Sequence, residues 1–493
     1  MVLCLHGGRN LHLTSRASST KTSMASTIDS DILLGVEPTH TTMSFPVPDA
    51  TTSFWRTQLH ELDTSRSTEE IPAEVDIVVI GAGYSGASIV HHLLKHSRVS
   101  GRDVSIAILE AREACSGATG RNGGHLKPDP YYRAAGALEK YGKEAAEEVA
   151  SFEARQVKEI QKLVEDENID CDFVVTRATD VCLYEAAKRD LKRGLDKLRQ
   201  AGISTASEVF YSDERSAEGV SGIKGAQGCF TYTAGLVWPY KLVLHLLGKA
   251  VAAGVNLQTT TPVTHKWSVN TSRGSIQTSK VICASNAYTS ALLAEFKEKI
   301  VPVRGICSRI VVPGNAHPPL LSNSYILRLS PSEYDYLIPR ADGSIVVGGA
   351  RRDYFKELDQ WYNNADDSKL IEPAKNYFDG YMQRHFRGWE DSGAYTDKIW
   401  TVIMGYSSDG FPFVGQVPGK VGQLICAGFS GNGMPQIFLS AKAVAQMALE
   451  QVEVQNTELP RLYWTSQERL DSKTNVTLEG WRASHGREVG PKL

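Results

Sequence analysis

Apolar positions are densest in a short run, residues 75–80, which leads directly into closely spaced glycines. Its β-branched side chains follow one another without regular alternation, which is typical of a parallel strand buried on both faces. Gly81, Gly83 and Gly86 come next, in the pattern G-x-G-x-x-G. In such a turn the first glycine permits the bend, the second lets backbone approach a pyrophosphate, and the third lets the next helix pack on the strand. The run therefore predicts a dinucleotide-binding strand–turn–helix unit.

The polar and apolar positions that follow continue this unit in the expected order. A helix is predicted from about Ser85 to His96, with its N-terminal N–H groups and positive dipole end toward the phosphates. A second apolar run, Val104 to Leu109, predicts the next strand, which ends at Glu110. A carboxylate at that place accepts hydrogen bonds from both hydroxyls of an adenosine ribose. The unit predicts an adenine dinucleotide and leaves NAD and FAD open.

Two glycine-rich loops favour FAD. Ser116 to Pro128 contains four glycines, so it cannot form a regular element. Ordinary NAD-binding folds have no such loop here, whereas flavin enzymes of the glutathione-reductase-like class place one against the ribityl chain and isoalloxazine ring. The second loop, Gly428 to Pro435, joins a predicted strand over 423–428 to a predicted helix over 436–450. This junction would direct a helix N-terminus at the electron-rich edge of the ring.

The remaining pattern alternates helices with short strands. Helices are predicted over 132–168 and 185–200, and a third begins at Pro239, where the missing N–H is tolerated. Residues 280–284 form a buried strand that would complete the nucleotide sheet. The other predicted strands are 173–176, 181–184, 255–258, 310–312, 325–329, 336–339 and 344–347. The last four predict an antiparallel sheet that roofs a pocket, and the polar tail from Thr457 is predicted to lie on the surface.

Composition and charge indicate a globular protein of two domains or one bilobal unit. The length, 493 residues, exceeds that of a usual single core, while 42% hydrophobic and 22% charged residues are ordinary proportions. A net charge of −3 gives no electrostatic reason to expect nucleic-acid binding. No apolar run approaches the ~20 residues that span a bilayer. The eight cysteines are scattered without a C-x-x-C pair, so neither a metal site nor a disulfide scaffold is predicted.

The ends of the chain carry the signals that bear on location. Residues 1–68 are predicted to be an N-terminal extension, partly disordered, which Phe54 and Trp55 pin to the folded body. Its first part is rich in Ser and Thr with no acid before Asp29; a mitochondrial presequence is one interpretation and a disordered leader the favoured one. The terminal Pro491-Lys492-Leu493 is an imperfect form of a peroxisomal signal. These signals favour an intracellular protein, cytoplasmic or peroxisomal ahead of mitochondrial.

The order of these segments along the chain resembles that of the D-amino-acid oxidase/sarcosine oxidase (DAO) superfamily of FAD-dependent oxidoreductases, most closely a fungal-type branch. The resemblance covers about 44–452 and is carried by TTSFW, GAGYSG, GATGRNGGHLKP, ASNAYT, IVPVRG, DGSIVVGG and GFSGNGMPQ. It implies an α/β fold, with a glutathione-reductase-like Rossmann FAD-binding domain and a discontinuous antiparallel-sheet (α+β) substrate domain. The FAD-binding domain is predicted to comprise 69–135, 229–300 and 401–455, the substrate domain 136–228 and 301–400, and the C-terminal tail 456–493.

The resemblance also implies the reaction and the residues that hold the cofactor. Family members oxidise a C–N bond by hydride transfer to flavin N5, which leaves an imine that water hydrolyses. Carried over by position, the FAD-binding residues are Gly81, Gly83, Tyr84, Ser85, Gly86, Glu110, Arg112, Gly120, Asn122, Gly123, Gly124, Ala284, Asn286, Gly431, Asn432, Gly433 and Met434.

Two departures from the family pattern affect the cofactor and its reoxidation. Sarcosine-oxidase-like members attach FAD through a cysteine before the last sheet region, but Lys398 to Met404 contains none. FAD is therefore predicted to be non-covalent. Oxidases of that branch place a lysine near the flavin to assist oxygen reduction, and Val346 stands in the corresponding place. The electron acceptor is accordingly predicted to be O2 or another oxidant.

The catalytic candidates are His125, Arg340 and Tyr336. His125 follows the glycine loop and is assigned either substrate contact and proton handling or a structural hydrogen bond. Arg340 and Arg351 flank the roof hairpin and either can bind a carboxylate in bidentate fashion, with a surface ion pair preferred for Arg351. Tyr336 and Tyr406 are interpreted as pocket or core tyrosines.

The leading hypothesis is an FAD-dependent amine or amino-acid oxidase or dehydrogenase that serves specialised metabolism. Its partner would be a small-molecule amine, with O2 as a candidate acceptor and neither nucleic acid nor a membrane span. One alternative is a flavin tailoring enzyme that dehydrogenates or oxygenates a non-amine substrate. The other is a flavin-binding protein without turnover.

Overall fold

A computed structural model describes residues 45–265, 269–330 and 333–486. The strands in it are β1 Ile77–Ile80, β2 Ile106–Leu109, β3 His125–Leu126, β4 Val174–Cys182, β5 Phe210–Ser212, β6 Gly228–Leu236, β7 Asn256–Gln258, β8 Val263–His265, β9 Val269–Thr271, β10 Gly274–Ile276, β11 Lys280–Cys283, β12 Ile300–Val311, β13 Ser324–Arg328, β14 Tyr334–Pro339, β15 Ile345–Gly348, β16 Tyr395–Ser407, β17 Phe413–Gln416 and β18 Gln423–Ala427. The α-helices are α1 Tyr84–Ser100, α2 Tyr132–Tyr141, α3 Lys143–Glu167, α4 Glu185–Ala201, α5 Ala217–Ser221, α6 Pro239–Ala252, α7 Thr289–Leu292, α8 Arg351–Tyr354, α9 Leu358–Trp361, α10 Tyr381–His385, α11 Ile437–Glu450, α12 Gln467–Asp471 and α13 Val476–Gly486.

The first large sheet has six strands in the order β17-β18-β11-β1-β2-β7. Strand β1 pairs in parallel with β2 on one side and β11 on the other, and all its residues are buried. Strand β18 pairs in parallel with β11, so segments that are far apart in the chain lie side by side. Helices α6 and α11 both pack on α1 beside this sheet. The predicted strand at 280–284 therefore does complete the sheet that contains the glycine turn.

The turn after β1 depends on two of its glycines. Gly81 has φ +113°, in the region that favours glycine. A Cβ on Gly86 would lie 1.9 Å from the Gly81 carbonyl oxygen, so only glycine lets α1 approach the turn this closely. The predicted tight turn and close helix packing are both present.

The second large sheet is mainly antiparallel, and its order is β16-β12-β15-β14-β13-β4-β6-β3 with β5 added on β6. Its longest strand pairing joins β12 and β16 and runs from Ile300–Ser407 at one end to Val311–Tyr395 at the other. The roof strands predicted over 325–347 are β13, β14 and β15. A small three-stranded sheet, β10-β9-β8, stands apart from both.

Several predicted elements differ from the structure. The helix predicted over 132–168 is two helices, because Gly142 takes φ +87° between α2 and α3. The strands predicted over 173–176 and 181–184 are one strand, β4, since its whole length pairs with β6. Strand β6 and residues 401–407 of β16 belong to the second sheet, although the predicted boundaries placed both in the FAD-binding segments.

The residues after 456 are folded against the body rather than lying loosely on the surface. Leu459, Tyr463 and Leu470 are buried. Arg469 forms a bidentate pair with Asp409, with N–O distances of 2.7 and 2.9 Å. At the other end, Phe54 and Trp55 are buried as predicted, while residues 1–44 and the 491–493 signal lie outside the described residues. Among the described residues, no helix is long and apolar enough to cross a membrane.

Candidate cofactor and substrate site

A cavity of about 670 Å³ runs between the two large sheets. The glycine turn after β1, the loop after β2 and the loop after β18 line one part, and residues of β12, β14 and β16 line another. This volume falls within the range of about 300–1,000 Å³ that is usual for ligand sites. All the predicted FAD-binding residues line it except Gly86, Gly120 and Gly124, which shape the backbone behind it.

Glu110 lies at the end of β2, as predicted for a residue that binds ribose. Its carboxylate accepts hydrogen bonds from the backbone N–H groups of Ala82, at 2.8 Å, and Arg112, at 3.1 Å. Burial raises the pKa of the Glu110 carboxyl, against the lowering effect of these two hydrogen bonds. The side chain is thus held in place by the turn that it faces.

Arg112 lines the same end, but its guanidinium already has an acidic partner. It pairs with Asp367 at N–O distances of 3.0 and 3.2 Å, and both side chains are buried. Arg121 approaches Asp367 as well, at 3.6 Å. In the predicted FAD-binding role, Arg112 would therefore form part of the cavity wall, with its charge already neutralised by Asp367.

The glycine loop fits closely around the start of α1. Thr119 Oγ1 accepts the Tyr84 N–H at 3.0 Å, and a Cβ on Gly83 would lie 3.2 Å from the same oxygen. A Cβ on Gly123 would lie 2.4 Å from the Tyr336 ring, so that glycine lets the tyrosine pack against the loop. Backbone is thus exposed to the cavity at both positions.

The loop after β18 is fixed by amide and carboxylate groups. Asn286 Oδ1 accepts the Gly428 N–H at 3.0 Å. Gln436 donates to Glu153 at 2.7 Å, and Arg133 lies 3.4 Å from the same carboxylate. Burial raises the pKa of the fully buried Glu153. Sequence reasoning missed Glu153 because its only local signal is one acidic position on the inner face of α3.

The residues present fit a flavin dinucleotide. The first N–H groups of α1 have no partners within the helix and line the cavity beside Gly83. Tyr288 also lines it, and its hydroxyl is buried without a hydrogen-bond partner among the described residues. Buried polar atoms of this kind are normally satisfied, so they indicate a polar ligand. The Glu110 carboxylate adds the acceptor that a ribose diol requires.

His125 lines the cavity, in surroundings that disfavour the protonated imidazole. Its Nε2 lies 2.7 Å from Ser324 Oγ, which ties β3 to β13. Burial, with a smaller contribution from the Lys127 charge, lowers the pKa of His125 to about 3. The imidazole is therefore neutral in the ordinary range, and the hydrogen bond favours the structural interpretation.

Arg340 does not line the cavity, so its predicted role as the carboxylate ligand is wrong on geometric grounds. Its guanidinium pairs with Asp172 at 2.5 Å. It also lies over the rings of Trp55 and Trp238, at 4.9 and 5.4 Å from their centroids. The hairpin places this side chain in a buried position away from the cavity, where it packs on Trp55 of the N-terminal segment.

Arg351, for which a surface ion pair was preferred, lines the cavity instead. It follows Ala350, which has φ +59°, and begins α8. Its guanidinium lies over the rings of Tyr334 and Phe355, at 5.6 and 4.8 Å from their centroids. None of the described carboxylates forms an ion pair with it. Arg351 is thus a cation that faces the cavity without an acidic partner among the described residues. The rings of Tyr334 and Phe355 beneath it are here called the aromatic shelf.

Tyrosines complete the wall around Arg351. Tyr406 and Tyr354 line the cavity, and burial raises the pKa of Tyr406 to about 12. The Tyr336 hydroxyl lies 3.0 Å from Cys307 Sγ, and burial raises the pKa of Tyr336 well above its usual value. The Tyr336 ring packs against the glycine loop and its hydroxyl is turned toward a thiol, and the catalytic role of Tyr336 stays a prediction.

Asp335 fixes the backbone from which Arg351 projects. Its Oδ1 accepts the Ala350 N–H at 2.9 Å, and its Oδ2 accepts the hydroxyls of Tyr377 and Tyr381 at 2.5 and 3.0 Å. Burial outweighs these hydrogen bonds and raises the pKa of Asp335 to about 6. Sequence reasoning missed it, because an acid within a strand carries no sign of its partners.

The Asp335→Asn variant should lose a pH dependence of stability that the wild type shows. Because the folded-state pKa of about 6 exceeds the ordinary 3.8, the folded protein holds this proton more tightly than the unfolded chain. The contribution is complete below about pH 4 and is lost as the pH rises to about 6, a change of about 3 kcal/mol. Urea denaturation at pH 4, 5, 6 and 7 measures this change. Across that window the free energy of unfolding of the variant should rise relative to that of the wild type. A constant difference would contradict the assignment.

Comparisons with known proteins agree with this geometry. The model of a family described as FAD-dependent oxidoreductase (DAO) matches residues 76–447. Gamma-glutamylputrescine oxidoreductase of Escherichia coli K12 is 24% identical over 404 residues, which cover 76% of this chain and 83% of that protein. Glycine oxidase of Bacillus licheniformis is 22% identical over 405 residues, covering 76% and 92%. Among solved structures, glycine oxidase from Geobacillus kaustophilus has a TM-score of 0.62 at 21% identity, covering 78% of this chain and 96% of that one.

Proposed function

The chain belongs to the DAO family of FAD-dependent oxidoreductases, and we propose that it oxidises the C–N bond of an amine that carries a carboxylate. The observation that carries the proposal is Arg351, a cation that faces the cavity without an acidic partner among the described residues. A half-buried guanidinium without an ion-pair partner is a site for an anionic ligand, and its fork matches a carboxylate. The related proteins are named for glycine and for gamma-glutamylputrescine, which are both nitrogen compounds. These names support an amine as the substrate.

In this proposal the chain binds, orients and shields, while the cofactor supplies the redox chemistry. FAD, when bound, accepts a hydride from the carbon beside nitrogen. The glycine turn, Glu110 and the loop after β18 hold the dinucleotide. Arg351 binds the carboxylate, and Tyr406 with Tyr354 excludes water around it. The substrate loses two electrons and two protons to become an imine, which water then hydrolyses.

The amine is expected to react in its neutral form. Hydride leaves the carbon as the nitrogen lone pair forms the C=N bond, so an ammonium group is unreactive. His125 and Tyr406 stay neutral near pH 7, because burial lowers the pKa of the imidazole to about 3 and raises that of Tyr406 to about 12. Neither His125 nor Tyr406 therefore titrates near neutrality to take the proton. Solvent takes it before the substrate binds, and the rate should follow the pKa of the amine.

The finer assignments of the proposal have separate support. Non-covalent FAD is supported by the absence of cysteine from residues 398–404, and an acceptor other than O2 stays open because Val346 is the residue at the lysine position. The discontinuous two-domain organisation is supported by the two large sheets, with boundaries to be drawn after β6 and β16. A fungal-type branch and specialised metabolism are supported by the sequence motifs alone. A cytoplasmic or peroxisomal location is supported only by the 491–493 signal.

Anaerobic reduction of the bound flavin tests the function. Purified protein should bleach at 450 nm when mixed with amino acids or N-alkyl amino acids, without NAD(P)H, and the colour should return in air or with an artificial acceptor. The rate should rise with pH through the pKa of the amine. Bleaching only by NAD(P)H would indicate a flavin tailoring enzyme, and yellow protein that no amine bleaches would indicate flavin binding without turnover.

A further inference from the structure

The segment that follows the family-matched part of the chain also builds the cavity. The family match ends at residue 447, yet Val476 and Thr477, in the first turn of α13, line the cavity. We propose that residues 472–484, here called the C-terminal strap, set the length of substrate that the cavity accepts. The proposal rests on the proposed function, because it assumes that the cavity beside Arg351 receives the substrate.

The strap is tied to the body by contacts of its backbone and of its first side chains. The Val476 N–H donates to the carbonyl of Ser408 at 2.9 Å, just after β16. Lys299 Nζ donates to the carbonyl of Ser472 at 2.5 Å. The Asn475 side chain donates to the Tyr362 hydroxyl at 2.8 Å and accepts the Leu478 N–H at 3.1 Å. These bonds fix the first turn of α13, so its two lining residues hold defined positions.

The middle of the strap reaches the aromatic shelf under Arg351. Trp481 Nε1 donates to the carbonyl of Phe355 at 2.9 Å. The Phe355 ring lies under the Arg351 guanidinium, 4.8 Å away, and stacks on Trp361 at 4.8 Å with an interplanar angle of 22°. Trp361 itself lines the cavity. The strap is therefore tied to the backbone of the residue whose ring lies under the carboxylate anchor.

The strap residues that face the cavity are short. Val476 ends in two methyl groups and Thr477 in a methyl and a hydroxyl, and Val476 Cγ2 would be 3.6 Å from a Cβ at Gly410. Larger side chains here would shorten the space, and smaller ones would lengthen it. A substrate held by Arg351 shares the cavity with this wall, so in the proposal the size of the side chains at 476 and 477 limits the length of substrate that fits.

Ligand binding by the full-length FAD-containing protein tests the proposal. Benzoate and 4-phenylbutanoate, a short and a long aromatic carboxylate, are titrated while the flavin absorbance is followed. Thr477→Trp should raise the Kd of 4-phenylbutanoate about tenfold and leave that of benzoate within about twofold, the range one shape change in a pocket produces. Val476→Ala should lower the ratio of the 4-phenylbutanoate Kd to the benzoate Kd. Ala483→Ser, at an exposed position of α13, is the matched control and should change neither constant. Equal effects on both ligands in both variants would overturn the proposal.

A second measurement needs no carboxylate ligand. Trp481→Ala removes the link to Phe355, so iodide should quench the flavin fluorescence more strongly, with a Stern–Volmer constant raised at least about twofold by local opening. An unchanged constant would show that the strap does not close the cavity and would overturn the proposal. If neither carboxylate perturbs the wild-type flavin, the carboxylate part of the proposed function fails, and the iodide result still decides whether the strap is a wall.

Discussion

Replacing Gly83 with alanine is expected to give a folded protein that has lost its flavin. A Cβ at this position would lie 3.2 Å from Thr119 Oγ1, a contact that a small shift of the side chain relieves. The same Cβ stands where the turn lines the cavity, and there the backbone has to approach the pyrophosphate. The affinity for FAD should fall about 100-fold, since overpacking such a contact costs about 3 kcal/mol. The ratio of absorbance at 450 nm to that at 280 nm, together with circular dichroism, measures the loss.

Two other glycines supply the controls for this prediction. Gly136→Ala, at an exposed position of α2 with open space around it, should bind flavin normally and be more stable by about 0.5–1 kcal/mol. Gly86→Ala places a Cβ 1.9 Å from a backbone oxygen and should fail to fold, with or without added FAD. Yellow, fully active Gly83→Ala protein would sink the assignment of the turn to the pyrophosphate.

Replacing Arg351 with methionine should abolish recognition of the carboxylate and leave the flavin in place. Methionine keeps most of the apolar stem on the Tyr334 and Phe355 rings but removes the charge that has no other partner in the described cavity. Losing one partner of a buried charge pair costs about 2–5 kcal/mol, so kcat/KM for a carboxylated amine should fall between about 30-fold and about 5,000-fold. Stopped-flow reduction of the flavin measures it, and an amine without a carboxylate should lose much less.

The matched control for Arg351 is Arg340, which binds an internal acid instead. Arg340→Met leaves the Asp172 carboxylate without its 2.5 Å partner, so it should lower the melting temperature while kcat/KM of the surviving protein stays near that of the wild type. The opposite outcome, with Arg340 controlling kcat/KM and Arg351 controlling only stability, would contradict the placement of the two side chains.

Local signals predicted the nucleotide-binding part of the fold. The strand at 77–80, the three glycines and the acid at 110 lie close together in the chain, and each requirement is met by one residue type at one spacing. The strand at 280–283 was also predicted to join them, because its apolar run has the same character as β1. Elements whose chemistry is contained in a few consecutive residues are therefore readable from the sequence.

The two arginines show why the substrate side was harder to predict. Arg340 and Arg351 both flank the hairpin of β14 and β15, and both have the chemistry of a carboxylate ligand. Their roles are decided by Asp172, which neutralises one, and by Phe355, which supports the other. Asp172 lies far away in the chain, and the backbone turn at Ala350 reverses the direction of the side chain that follows. Partners and directions of this kind appear only in three dimensions, as they do for Glu153 and Asp335.

The order of strands in the six-stranded sheet has a consequence for synthesis of the chain. The neighbours of β1 are β2, which follows at once, and β11, which begins at residue 280, while β18 begins only at residue 423. On the ribosome, β1 emerges early and one of its edges waits for about 200 further residues, which take about 10–40 s at the usual rates of elongation. An exposed apolar edge over that interval invites wrong pairing. Nascent chains should therefore be clients of cotranslational chaperones, and flavin should be incorporated only after release of nearly the whole polypeptide.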